Sequence, residues 1–175
     1  MAEQAGFDAL WISDHYHPWN DAQGQSSFVW SMIGAIGQTC RLPVTTAVTC
    51  PTVRIHPAIV AQAAATSNVL LEGRFSLGVG TGEALNEHVT TARWPNIDVR
   101  LDMLEEAVGV IRALWSGEYV SHHGQHYSVE NARTLAPSSH RRFMSRDSGQ
   151  NPPSWRGVSG MATYRPSPIG SCCSV

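Results

Sequence analysis

Phe75-Ser76-Leu77-Gly78-Val79-Gly80-Thr81-Gly82-Glu83 is the stretch on which the choice of fold turns. Its first half is short and apolar, with Gly73 behind it and a glycine string ahead, as expected of a strand buried on both faces. Its second half sets three glycines where a doubly wound sheet carries its phosphate fingerprint. Glu83 follows them in place of a helix start suited to phosphate, and an acid there repels a pyrophosphate. The dinucleotide reading is disfavoured. The stretch reads instead as a parallel strand that delivers a polar turn to a ligand-bearing end.

Two runs upstream have the same character. Ala9-Leu10-Trp11-Ile12-Ser13-Asp14 is apolar and closes in a polar turn, and residues 42–49 are β-branched with Pro43 only near the start. Helical signals lie between the runs. Ser26 or Ser27 can cap a helix carrying Val29, Met32, Ile33, Ile36 and Cys40 on one face. Pro57 suits a first helical turn, and the Ala-rich residues 58–71 close at Gly73. Beyond the glycine string, Ile97, Leu101, Leu104, Val108, Ile111 and Trp115 recur at steps of four and three, and Gly117 ends that helix. Residues 119–129 alternate about His123-Gly124, which predicts a β-hairpin. The strands start about 33 residues apart, the length of a β-α unit, so they pair in parallel. Both a doubly wound sheet and a (β/α) barrel meet this pattern, and both place ligands at the C-terminal strand ends.

Composition bounds the rest. The 175 residues are 42% apolar and 15% charged, the profile of a folded soluble chain. No apolar run approaches the ~20 residues of a membrane span, no secretion signal opens the sequence, and a cytoplasmic location is expected. A net charge of -2 gives no electrostatic case for nucleic acid or anionic lipid. Cys40 and Cys50 sit in apolar segments and read as buried thiols; no C-x-x-C spacing exists, and His15 and His17 have no third ligand at a metal spacing, so no metal site is expected. Charge also marks a boundary. Residues 1–133 hold 13 acids and 7 Arg, net -6, whereas residues 134–175 hold one acid and five Arg, net +4. The second part carries nine Ser and five Pro without any period, and it is expected to be irregular or disordered.

At the strand ends stand Asp14, His15, His17 and Trp19, then residues 48–52, then Glu83, Asn86 and Glu87. If the strands are neighbours these groups converge. An imidazole near a carboxylate and an indole suits acid-base work beside a flat cofactor. The spacing equally allows Asp14 as a turn cap, His15 as a satisfied polar residue and Trp19 as packing.

Four strings in order, SDHYHPW (residues 13–19), TTAVTCPT (45–52), HPAIVAQAAAT (56–66) and GVGTGEALNEH (78–88), resemble the luciferase-like monooxygenase superfamily. They are most similar to its deazaflavin branch, the oxidoreductases related to F420-dependent glucose-6-phosphate dehydrogenase. The resemblance covers residues 2–133 and implies a partial (β/α)8 TIM barrel with a β-hairpin insertion. It implies coenzyme F420 as cofactor and hydride transfer between that cofactor and a hydroxyl-bearing small-molecule substrate. His15, Trp19 and Glu83 match catalytic positions: His15 over the ring, Trp19 steadying the transition state, and Glu83 as a second proton-transfer group. Asp14, Asn86, Gly80, Thr81 and Gly82 match cofactor-contacting positions, and Ala47-Val48 matches a cis peptide that bulges behind the ring. Full-length relatives are expected to be homodimers. An FMN-dependent monooxygenase is the alternative within the superfamily, favoured less because the TGEALNE string is intact.

A whole barrel takes ~250 residues, and the resembling part is about half of that. A truncated, non-catalytic remnant is therefore a further alternative, with weak or no cofactor binding expected of the chain alone. Residues 143–164, reread in another frame with permitted codons, spell a string resembling the family's next strand and helix. A frameshift near residue 134 is the expectation, and sequencing the gene tests it.

Overall fold

Helices separate the first three strands, so these strands can meet only in parallel. In the computed structural model, which describes residues 2–91, 93–134 and 162–164, β1 (Leu10–Ile12) is followed by α1 (Val29–Thr39) and β2 (Val44–Thr46). Then come α2 (Pro57–Leu70), β3 (Phe75–Val79), a single turn α3 (Ala84–Glu87) and the long α4 (Ile97–Leu114). β1 pairs with β2 in parallel, Leu10 opposite Val44, and β2 with β3, Val44 opposite Phe75. The chain is α/β, a partial (β/α)8 barrel with the strand order β1-β2-β3.

The alternation of the strands decides what is buried. Val44, Phe75, Leu77 and Val79 face the helices, where they join Val29, Ile33, Val60, Ala64, Leu104 and Val110 in one core. The opposite face carries Trp11, Thr45 and Ser76 in register. Among the described residues that face has no helix on it, and Trp11 is 74% exposed. Gly78 lies so close to β2 that an added Cβ would collide with the Thr46 carbonyl oxygen. The Thr46 hydroxyl donates to the Gly78 carbonyl and accepts from the Gly78 amide, both at 2.9 Å, which draws the two strands together.

Several expectations are corrected at the element ends. The N-cap of α1 is Phe28, without a side-chain bond; the Ser26 hydroxyl donates instead to the His15 carbonyl, 2.7 Å away. Residues 42–49 form a ladder only over Val44–Thr46; the Ala47–Val48 peptide is cis, as the resemblance implies, and Thr49 rejoins β3 at Val79. Pro57 does open α2, capped by the His56 ring, whose Nδ1 accepts from the Ala58 amide at 3.1 Å. Glu72 and Gly73 then leave the helix with φ of +53° and +84°. The hairpin consists of β4 (Val120–His123) and β5 (Ser128–Ala132), antiparallel, and its turn is longer than a His123-Gly124 pair: the Gly124 amide donates to the Tyr127 carbonyl at 3.0 Å. Finally β6 (Ala162–Tyr164), within the part expected to be irregular, pairs antiparallel with β3, Leu77 opposite Tyr164. A barrel would place a parallel strand there; β3 leaves an open row of backbone groups on that side, and the short segment satisfies three residues of it. The remainder of the part expected to be frameshifted lies outside the described residues.

Candidate functional site

All three parallel strands end at one side of the sheet, and the loops that follow them are tied together there. The Asn86 side-chain oxygen, at the end of the third loop, accepts from the Tyr16 and His17 amides at 3.0 and 3.2 Å. His15 and Glu83 therefore stand at the same end of the molecule, one on each side of that tie. His15 is half-buried, with its ring centroid 5.8 Å from that of Trp19, and Trp19 and Glu83 are exposed. Ala47 and Val48 lie half-buried between them, alongside buried Gly80 and half-buried Thr81 and Gly82. Gly82 cannot carry a side chain: its φ is +79°, and a Cβ would sit 2.5 Å from Cys50 Sγ and 2.9 Å from Glu87 Cγ.

Beneath this surface lies a buried ionic group that sequence reasoning missed. Arg54, in the loop between β2 and α2, donates from Nη2 to Asp14 Oδ1 at 2.8 Å and to the Asp14 carbonyl at 3.2 Å. Its Nε donates to Glu87 Oε1 at 3.2 Å, and its own amide to Glu87 Oε2 at 3.0 Å. The second Asp14 oxygen accepts from the Thr49 hydroxyl at 3.0 Å. The Arg54 side chain is 7% exposed and the two carboxylates 1% each. Asp14 and Asn86, both expected to touch a cofactor, are thus buried with these oxygens engaged inside the protein. Burial raises the Glu87 carboxyl above its ordinary value even though Arg54 pulls it down. Burial also opposes the charge on Arg54, but Asp14 and Glu87 outweigh it and hold the guanidinium above its usual value. Cys50, desolvated and facing Glu87, has its thiol pushed up to about 12, as an inert structural thiol should. Arg54 was not legible because its partners are 33 and 40 residues away, and only its position as a lone cation between apolar segments hinted at it.

The hairpin closes one flank. The Tyr127 hydroxyl donates to the Thr52 carbonyl at 3.0 Å, and its ring meets His56 edge-on. Among the described residues, no group of three or more His, Cys, Asp or Glu is placed to hold a metal ion. No helix there is long and apolar enough to cross a membrane.

A parallel sheet with helices on one face and its polar loops gathered at the strand ends is the architecture of a (β/α) barrel, and the comparisons agree with that class. The luciferase-like monooxygenase profile matches residues 1–165, and the chain belongs to this family. It is 44% identical over 133 residues to the F420-dependent glucose-6-phosphate dehydrogenase of Microbacterium testaceum, covering 75% of this chain and 40% of that protein. It is 46% identical over 133 residues to the F420-dependent hydroxymycolic acid dehydrogenase of Mycobacterium tuberculosis, covering 75% of this chain and 37% of that protein. A solved F420-dependent secondary alcohol dehydrogenase, in complex with an F420-acetone adduct, superposes with a TM-score of 0.74 at 42% identity, over 77% of this chain and 42% of its own. The chain spans about two fifths of the length of the relatives it matches.

Proposed function

We propose that this chain carries the ring-facing part of an F420-dependent dehydrogenase site whose substrate is a small molecule bearing a hydroxyl group. The observation that carries the reading is the convergence of the His15 loop and the Glu83 turn, tied through Asn86, in a chain 42 to 46% identical to proteins that use F420. The residues present suit a flat ring. The bare face beside the strand ends offers small groups, Thr45, Ser76 and Gly78, and the floor at Ala47, Val48, Gly80, Thr81 and Gly82 is nearly free of long side chains. When bound, the deazaflavin supplies a two-electron hydride acceptor or donor.

The protein's own part is proton handling and orientation. Alcohol oxidation releases a proton as the hydride leaves carbon, and carbonyl reduction needs one. His15 can take or give it near neutrality, with its ring leaning on Trp19 and its backbone carbonyl held by Ser26. Glu83, across the site, is the second group able to do so. Trp19, whose ring stands beside that of His15, is the residue that steadies the transition state in this reading. The relatives point to F420 over FMN, and residues 1–133 form the site-bearing unit, with the boundary near residue 134.

Fluorescence titration of the chain with oxidised F420 and with FMN tests the proposal. F420 is expected to bind more tightly, however weak the binding is in absolute terms, and His15→Ala to lose alcohol-dependent cofactor reduction wherever reduction is measurable. Equal or tighter binding of FMN overturns the reading, and so does a cooperatively folded chain that binds neither.

A further inference from the structure

Each candidate proton-transfer group is one short link from a buried carboxylate, and one arginine holds both carboxylates. Asp14 immediately precedes His15. Glu87 closes the same helical turn as Glu83, its amide donating to the Glu83 carbonyl at 3.1 Å. Arg54 lies between them and reaches Asp14 with one arm and Glu87 with the other. Thr49 fastens the same Asp14 carboxylate to the end of β2. We propose that Arg54 is a positioning residue, which sets the separation and facing of His15 and Glu83 by clamping the three strand-end loops to one another. This inference deepens the dehydrogenase reading and rests on it for the roles of His15 and Glu83.

Two physical arguments single out Arg54 from the rest of the packing. A buried cation with two carboxylates is a poor way to gain stability, because desolvation of the charges offsets their attraction, and apolar residues of similar size do as well. What such a group supplies is geometry. A planar guanidinium fixes its partners in direction as well as distance, which an ammonium on a flexible stem does not. The other ties on these loops each join at most two of them, as Asn86 joins the third to the first and Tyr127 holds the second to the hairpin, whereas Arg54 bonds to the first and the third from the second. Neither arm of Arg54 is spent on a neighbour in sequence. Both cross between loops, to residues 33 and 40 positions away.

Hydrogen exchange on the cofactor-free full chain tests the clamp separately from the activity. Arg54→Met alone strands two buried carboxylates and can unfold the chain, so the informative variant is the neutral triple Asp14→Asn, Arg54→Met, Glu87→Gln. Arg54→Lys, which keeps the charge and loses the fork, is the conservative comparison. In the triple variant the melting transition is expected to stay cooperative and near the parent's, while the Tyr16 and His17 amides exchange on the order of tenfold faster, with Ile33 and Val60 in the helices unchanged. Arg54→Lys is expected to fall between the two. If these loop amides keep the parent's rates in the triple variant, or if protection falls equally in the helices, Arg54 is not a positioning residue. A second reading is the F420 affinity of Arg54→Lys, which leaves Asp14 in place, relative to the parent; it is expected to fall in step with the loop protection. Should the parent bind no F420, the dehydrogenase reading fails while the exchange result still decides the clamp.

Discussion

Gly82 and Gly24 share a left-handed backbone, with φ of +79° and +85°, but not an environment. Nothing lies within 4 Å of a Cβ added at Gly24, so Gly24→Ala meets only the conformational cost of a backbone with ψ of -53°, about 1 to 3 kcal/mol. At Gly82 the new methyl must also displace the Cys50 thiol, which is buried, and the stem of Glu87, which Arg54 pins. Gly82→Ala is expected to destabilise the fold by about 2 to 4 kcal/mol. Urea midpoints measured side by side check this, and equal shifts for the two variants would mean that the glycine string is not packed as described. The same position shows what can be read from a linear chain. Asp14, His15, Trp19 and Glu83 can be placed at strand ends because they lie in the polar turns that follow apolar runs, but the spacing alone leaves their roles open and only the family resemblance implies them. The thiol and carboxylate that fill the space around Gly82 come from separate loops. Arg54, which joins those loops, carries no local pattern beyond being a lone cation between apolar segments, because a buried cation is defined by partners and not by its neighbours along the chain.

At the scale of elements, the hairpin hangs on one side chain of α4. The Glu106 carboxylate accepts from His122 Nε2 at 3.0 Å and from the His126 and Tyr127 amides at 3.0 and 2.9 Å. Gly124 sits so close that a Cβ would strike that carboxylate. Desolvation works to raise the Glu106 carboxyl, but these three bonds outweigh it and leave it below its ordinary value of 4.5. The sign of the pH dependence follows. With the folded value below the unfolded one, the stabilisation is present above the ordinary carboxylate range and is lost as pH falls through the lower, folded value. Exchange at the His126 and Tyr127 amides, corrected for intrinsic rates, is expected to stay flat from roughly pH 8 to 5 and to accelerate below that. Glu106→Ala should exchange fast throughout and lose the pH dependence; a flat profile in the parent down to acid unfolding would refute the clamp. The hairpin itself was readable from its alternation, and so were α2 and α4 from their periods and stops. The turn was not, because its length is set by the approach of residues 124–127 to a carboxylate on another element. The apolar, β-branched pattern through Val48 did not show the shortening of β2 either; only the resemblance pointed to a break at Ala47-Val48.

The whole molecule has a sheet with one face packed and one bare. Val44 and Phe75 are 0% and 3% exposed on the helix side, and Trp11, in register with Thr45 and Ser76 on the other, is 74% exposed. Phe7, Tyr16, Trp19 and Phe28 are also more than half exposed, and β1 is paired on one edge only among the described residues. A parallel strand with an apolar face and a free edge is a template for further strands, since in parallel sheets both faces are normally covered. Large exposed apolar patches of this kind drive association. The parallel order, the helix layer and the end that bears the site can all be derived from the spacing of apolar runs, but which face stays open depends on how many strands close the sheet, and no local pattern encodes that number. The chain is therefore expected to self-associate in sedimentation experiments as its concentration rises, through the face that bears Trp11. Trp11→Glu places a charge on that face, away from the helix-side core, and should shift the chain toward monomer with its helical circular dichroism unchanged. If Trp11→Glu associates as strongly as the parent, another surface drives the contact. If it unfolds, Trp11 is packed in solution, and the face is covered by a part of the chain or by a second copy already at the lowest concentration measured.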